Sequence, residues 1–282
     1  MIARKPRVAV PAGATDTHMH LYHAEVPPAA GGPPLPGDYR AEQYREVQQR
    51  LGLSRVIIVQ PNAYQDDNRV TLAAISTLGP GAKGVGVVKP GVSDPDIAWL
   101  TEGGIIAQRI FQLPWGAVGF DQMHDVMARV HPFGWHANIQ LDGRELPQWE
   151  DTIKKLPGRF VIDHVGKYLE PVTPEHESFK SLLRLLDTGR CWVKLSAPYE
   201  TSKDTSKTGA PKYDDVSCLA RALVKHAPDR MLWASNWPHP SAPRDNIPDD
   251  ADLIDLLLDW APDEATRRKI LVDNATELYN FR

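Results

Sequence analysis

The sequence predicts an α/β fold, a single (β/α)8 TIM barrel running through residues 1–282, with long loops after strands 1 and 7. Short apolar runs bounded by turn residues recur along the chain, and the stretches between them are polar or helix-periodic. No shift in composition marks a domain boundary. The length of 282 residues suits such a barrel, typically about 250 residues, better than two open sheets.

The runs, in order, are ATDTHMHL (14–21), SRVIIVQ (54–60), KGVGVVK (83–89), GIIAQRIF (104–111), GWHANIQL (134–141), RFVIDHV (159–165), CWVKLSA (191–197) and MLWASN (231–236). Their spacing of roughly 25 to 40 residues leaves room for a strand, a crossover helix and two loops. Between them helices are expected. One is marked by Leu253, Leu256, Leu257 and Trp260 at i, i+3, i+4, i+7, with Asp252, Asp255 and Asp259 on its other side.

Two stretches, 23–39 after strand 1 and 198–213 after strand 7, are too rich in Pro, Gly and small polar residues for regular structure. Both follow strand C-termini, the face where barrel enzymes build their sites, so they are expected to act as lids or substrate walls.

Composition narrows the partners. The chain is 42% hydrophobic with a net charge of -4 and no block of like charges, which argues against nucleic acid or an anionic membrane as partner. An anionic substrate must then be held by a few placed cations. No apolar stretch of signal-peptide or membrane-spanning length is present, and Cys191 and Cys218 lack disulfide or metal spacing, so a cytoplasmic protein with reduced thiols is expected. One G-x-G-x-x-G spacing occurs, at Gly79, Gly81 and Gly84, but it runs from loop into strand, the reverse of what a dinucleotide site requires, which disfavours a nicotinamide enzyme.

Polar residues inside the apolar strands mark the candidate site. By strand alternation Asp16, His18 and His20 share a face, and two buried imidazoles side by side are expensive unless they bind something. His164 ends strand 6, Arg109 ends strand 4, Lys194 lies within strand 7 and Asn236 ends strand 8. Strand 5 offers His136, Asn138 and Gln140 on one face. Trp233 and Trp237 are expected to pack around the barrel mouth.

The D-T-H-M-H strand, the later D-H-V-G and V-K-L-S, the W-x-S-x-W-P-H-P segment and the ending D-N-A-T-E-L-Y resemble the amidohydrolase superfamily, within it the branch of 2-pyrone-4,6-dicarboxylate lactonase and D-galactarolactone isomerase. The resemblance runs from about residue 11 to residue 281. It implies chemistry on a lactone carbonyl at the strand C-termini. Many superfamily members hold one or two divalent metals through the paired histidines, later histidines and a strand 8 aspartate; here no strand 5 lysine is available as a bridge, and Asn236 stands in place of the aspartate.

His18, His20 and His164 could still hold one divalent ion such as zinc, but the missing carboxylate removes both a ligand and the base that would deprotonate water, so no metal is expected. An asparagine cannot serve as that base. His18, His20, His164 and Asn236 are instead expected to donate hydrogen bonds to an oxyanion while a hydroxyl of the substrate attacks its own carbonyl.

The expected reaction converts a sugar-dicarboxylate 1,5-lactone of the D-galactaro type to the 1,4-lactone. The remaining carboxylate falls to Arg109 first, then Lys194 and Lys167, with Tyr199, Tyr39 and Gln140 as further substrate contacts. The alternatives are a lactone hydrolase and a non-catalytic sugar-acid-binding barrel.

Overall fold

A computed structural model of the chain describes residues 4–204 and 213–281. Eight strands, β1 (Thr15–Met19), β2 (Arg55–Val59), β3 (Ala82–Gly86), β4 (Ile105–Phe111), β5 (His136–Gln140), β6 (Phe160–Ile162), β7 (Cys191–Leu195) and β8 (Met231–Trp233), lie in that order in one parallel sheet. The segment after β8 closes the ring on β1, Asn236 N donating to His18 O at 2.9 Å and His20 N to Trp237 O at 2.7 Å. Helices α1 (Ala41–Leu51), α2 (Arg69–Leu78), α3 (Asp94–Glu102), α4 (Phe120–Val130), α5 (Leu146–Lys154), α6 (Glu177–Leu186) and α7 (Asp214–His226) alternate with the strands, and α8 (Asp250–Asp255) follows β8. This is the expected (β/α)8 barrel.

Strand alternation sorts the apolar residues into two layers. In β2, Val56 and Ile58 pack in the layer shared with the helices, while Ile57 and Val59 join Val85, Ala107, Val161, Trp192 and Leu232 in an inner cluster. Leu278, Tyr279 and Phe281 cover that cluster at the strand N-termini, where Lys83 of β3 donates to Tyr279 O. Each fully buried Val, Leu or Ile contributes about 1.5–3 kcal/mol, so both layers hold the strands in register. The opposite end of the ring is left to polar residues.

The structure differs from the sequence expectation in three places. Strands β6 and β8 stop early, leaving His164 and Asn236 in turns with φ of 53° and 59°. The helix expected through Leu253 and Trp260 is two short pieces, α8 and a turn over Leu257–Trp260. Asp255 is buried rather than solvent-facing, because its Oδ1 accepts the backbone N–H groups of Arg7 and Val8 at 2.7 and 2.9 Å.

The loop after β1 is docked on the barrel. Tyr22 and Tyr39 exchange backbone hydrogen bonds of 3.0 and 2.7 Å, and a Cβ at Gly32 would fall 2.4 Å from Ala63 O. Residues 205–212 of the second long loop lie outside the described residues; its start, Pro198–Glu200, is a single 3-10 turn. Cys191 and Cys218 are free thiols. No helix among the described residues is long and apolar enough to cross a membrane.

Candidate active site

His18 and His20 meet at the C-terminal end of β1, their Nε2 atoms 3.0 Å apart and their rings nearly perpendicular. Asp16 does not join them. The strand register breaks between Asp16 and Met19, and the Asp16 carboxylate accepts instead from Tyr44 on α1 at 2.9 Å and from Ser235. Burial pushes Asp16 up to about 6, against the pull of those hydrogen bonds.

The donors and acceptors around the pair fix its protons. Val59 O can only accept, so His20 Nδ1, 2.7 Å away, carries hydrogen and His20 Nε2 is an acceptor. His18 Nε2 therefore donates to it, and His18 Nδ1 receives a hydrogen from Lys194 Nζ at 3.2 Å. The chain runs Lys194 to His18 to His20 to Val59. Neither paired imidazole keeps an N–H for an oxyanion, which corrects the donor role expected of both.

Lys194 is fully buried and does not reach for substrate, contrary to expectation. Its Nζ donates to Asn138 Oδ1 at 2.6 Å and lies 3.1 Å from Asp163 Oδ1, while Asn138 Nδ2 holds Asp163 Oδ2 at 2.8 Å. Burial works to raise the Asp163 carboxyl, but the Lys194 ammonium opposes it and the group is held well below the usual range. Burial pulls the Lys194 ammonium down, and Asp163 opposes that.

The one candidate metal-ligand group among the described residues is His18, Asp163 and His164, whose ligand atoms lie within 4.8 Å of one another, rather than the three histidines expected. Lys194 already stands beside two of those ligand residues, and the tautomer it imposes on His18 leaves no free ring lone pair there. With Lys194 protonated, the donor set does not fit a divalent ion.

His164 faces the pair across the mouth, its ring centroid 4.8 Å from that of His18. Its Nδ1 bonds Ser196 Oγ at 2.7 Å, and its Nε2 makes no hydrogen bond among the described residues. Burial lowers His164 to about 4 and His20 to about 3, and takes His18 well below its ordinary value. All three rings are neutral near pH 7.

Asn236 spends both amide hydrogens, on Tyr199 Oη at 2.8 Å and on Glu200 Oε1 at 3.1 Å. The Glu200 carboxylate can only accept, so it fixes the amide orientation and leaves the buried Oδ1 without a partner. Asn236 thus offers an acceptor, not the donor expected. Lys167 pairs with Glu200, which also accepts from Ser241. Burial would raise Glu200, but Lys167 and His164 hold it at about 2.

Arg109 is 5% exposed and makes no ion pair among the described residues. Its Nη1 donates to Gln60 O at 2.6 Å and Asn62 Oδ1 at 3.1 Å, its Nη2 reaches Gln140 Oε1 at 3.4 Å, and its buried Nε has no partner. Lys194 balances Asp163 and Lys167 balances Glu200, whereas Arg109 has no carboxylate partner among the described residues. Tyr39 packs edge-on against Trp237 at 5.6 Å, its hydroxyl taking a hydrogen from Arg244. Tyr22 lies nearby, where burial raises its hydroxyl and Arg109 opposes the rise.

Strain gathers here: His164, Val165, Lys167, Ala197, Asn236 and His239 all have φ between 47° and 59°. Such conformations cost about 1–3 kcal/mol each and persist where surrounding contacts over-determine them.

A family model for amidohydrolases matches residues 15–281. The chain is 38% identical to D-galactarolactone isomerase of Agrobacterium fabrum (strain C58 / ATCC 33970) over 98% of its length and 94% of that protein. It is 32% identical to 2-pyrone-4,6-dicarboxylate hydrolase of Comamonas testosteroni, covering 98% and 92%. An apo crystal structure from Agrobacterium tumefaciens, 37% identical, superposes with a TM-score of 0.91 over 98% of this chain and 99% of that one. The barrel, the paired histidines and these matches agree: the chain belongs to the amidohydrolase family.

Proposed function

We propose that the protein is a lactone isomerase that converts a sugar-dicarboxylate 1,5-lactone of the D-galactaro type to the 1,4-lactone by attack of the substrate's own hydroxyl. The reading is carried by Asn236, whose free Oδ1 can accept a hydrogen bond from a substrate hydroxyl but cannot take its proton. An amide acceptor sets the direction of an internal nucleophile, for which effective molarity replaces much of the base catalysis that water requires.

The other groups take complementary parts. Arg109 holds the substrate carboxylate through its unpartnered Nε and neighbouring Nη2, a side-on fork that matches carboxylate geometry, with Gln140 steadying the guanidinium. His164 Nε2, with Ser196 donating to Nδ1, points a hydrogen at the lactone carbonyl. Tyr39 and Tyr22 wall the mouth. No metal is required, since Lys194 already supplies a fixed cation beside His18 and Asp163.

A second reading, lactone hydrolysis, is favoured by the two carboxylates at the mouth, Asp163 and Glu200. Their proton affinity argues against it: Glu200 at about 2 and Asp163 well below the usual range are weak bases at neutral pH.

Proton NMR of D-galactaro-1,5-lactone with the purified protein separates the readings. Growth of the 1,4-lactone is expected; free acid as the first product refutes isomerisation. Asn236→Asp places a carboxylate where the amide nitrogen lay 3.1 Å from Glu200, and like-charge repulsion raises its proton affinity. Its free-acid to 1,4-lactone ratio should rise roughly tenfold or more.

Chelator-treated protein is expected to retain full activity, with zinc giving no increase. Activity lost to chelator and restored by zinc would place a metal in the reaction.

A further inference from the structure

Behind Asn236 a chain of hydrogen bonds runs from Tyr199 into the protein. Tyr199 Oη lies 3.0 Å from His239 Nδ1, and His239 Nε2 lies 3.0 Å from Asp250 Oδ1. Asp250 Oδ2 is held by Arg50 Nη2 at 3.1 Å. His239 is 2% exposed and Asp250 5% exposed, so the inner end of the chain is shut off from solvent, while Tyr199 at its outer end is half-buried.

Its polarity can be deduced. The Asp250 carboxylate accepts, which places the hydrogen of a neutral His239 on Nε2 and leaves Nδ1 as an acceptor; Tyr199 then donates to Nδ1. The phenol oxygen faces Asn236, from which it takes one hydrogen at 2.8 Å, and it retains a second acceptor position. A phenol backed by an imidazole, itself backed by a buried carboxylate, is the arrangement by which a weakly acidic hydroxyl exchanges protons without becoming an isolated anion.

We infer that Tyr199, backed by His239 and Asp250, is the proton shuttle for the lactone exchange. This rests on the lactone chemistry proposed above and supplies the proton acceptor that position 236 lacks. As the attacking hydroxyl oxygen bonds the carbonyl carbon, its proton leaves the hydrogen bond to Asn236 Oδ1 and passes to the adjacent Tyr199 Oη while the Tyr199 proton passes to His239 Nδ1. The imidazolium so formed is paired with Asp250. As the bond from that carbon to the ring oxygen breaks, the same path runs backwards and protonates the departing oxygen.

Atoms and charge balance: one C–O bond forms, one breaks, and a single proton moves from one oxygen to the other. Both oxygens are bonded to the same carbon in the intermediate, so one phenol serves both. Burial, with Glu200 nearby, raises the Tyr199 phenol above its ordinary range, and the hydrogen bond from Tyr199 to His239 Nδ1 gives the two transfers a concerted path that avoids a free tyrosinate.

Tyr199 is thus a catalytic residue, and His239 and Asp250 are positioning residues that act through it. The test measures kcat and KM of Asp250→Asn, His239→Gly and Tyr199→Phe on any lactone the wild-type protein turns over. His239 has φ of 59°, which glycine adopts without strain. Asp250→Asn is expected to lower kcat by roughly 10²–10⁴-fold with KM changed less than about threefold, as when a dyad loses its carboxylate.

His239→Gly should lose a similar factor and regain at least tenfold in kcat with millimolar imidazole, and pairing it with Tyr199→Phe should add little to the loss of either alone. Asp250→Asn within threefold of wild-type kcat, or losses confined to KM and indifferent to imidazole, would overturn the shuttle. The wild-type product, 1,4-lactone or free acid, is read separately and tests the isomerase proposal alone.

Discussion

Replacing Lys194 by methionine is expected to destabilise the protein by about 3–5 kcal/mol, the usual cost of stripping one member from a buried ion pair. Asp163 would keep Asn138 as its hydrogen-bond partner but lose the ammonium 3.1 Å from Oδ1, in a site where both side chains are 0% exposed. The lost cation is what holds the carboxyl ionised, so burial would then dominate and Asp163 would take up a proton. Lys194→Met combined with Asp163→Asn should therefore cost clearly less than the sum of the two single changes, which urea unfolding of the four proteins would measure. Additive losses would mean that the pair is not coupled. The same variant frees His18 Nδ1, so zinc should raise the melting temperature of Lys194→Met and leave that of the wild type unchanged.

The barrel was legible because burial on both faces of each strand imposes short apolar runs, and burial of one helix face imposes the helix-periodic stretches between them. His18, His20 and Arg109 were legible for the related reason that a polar side chain in an apolar run stands out. Strand alternation failed where the backbone leaves the strand: the register break after Asp16 sends its carboxylate to α1, and the left-handed turn at His164 and Val165 lets adjacent Asp163 and His164 both reach the site.

Glu200, Tyr22 and Asp250 lie outside the apolar strand runs, so no spacing marked them, and His239 was visible only as the histidine of the W-P-H-P segment with no role attached. Asp163 did carry a signal, as a second charge in VIDHV beside the histidine. The direction of a hydrogen bond was the least legible feature. That Asn236 accepts rather than donates depends on Glu200, and that His18 and His20 keep no N–H depends on Lys194 at one end and Val59 O at the other.

Acid should unfold this protein well before its carboxylates titrate in bulk. His20, His136 and His164 are each buried with ordinary values of 6.5 lowered to about 3, 3 and 4, burial being the largest cause in every case. A histidine lowered in the fold is protonated first in the unfolded chain, so stability is lost as pH falls below 6.5 and the loss saturates only near the folded value. Asp16 works the other way: raised from 3.8 to about 6, it binds a proton in the fold first and adds stability between those values.

His18, likewise taken well below its ordinary value by burial, joins them, and four groups against one leave a net uptake of about three protons on unfolding near pH 5.5, a slope of about 4 kcal/mol per pH unit and a loss on the order of 6 kcal/mol between pH 7 and pH 5. Glu200, lowered from 4.5 to about 2, adds to the loss only below pH 4.5. Denaturant unfolding at a series of pH values reads the slope directly, and equal stability at pH 7 and pH 5 would contradict it. His136, whose Nε2 is buried without a partner, is the member to remove: His136→Asn, which lacks this one imidazole, should flatten the slope by about 1 kcal/mol per pH unit. Because His136 lies on β5 against Tyr279, at the covered end of the barrel, that change separates the acid sensitivity of the fold from the chemistry of the mouth.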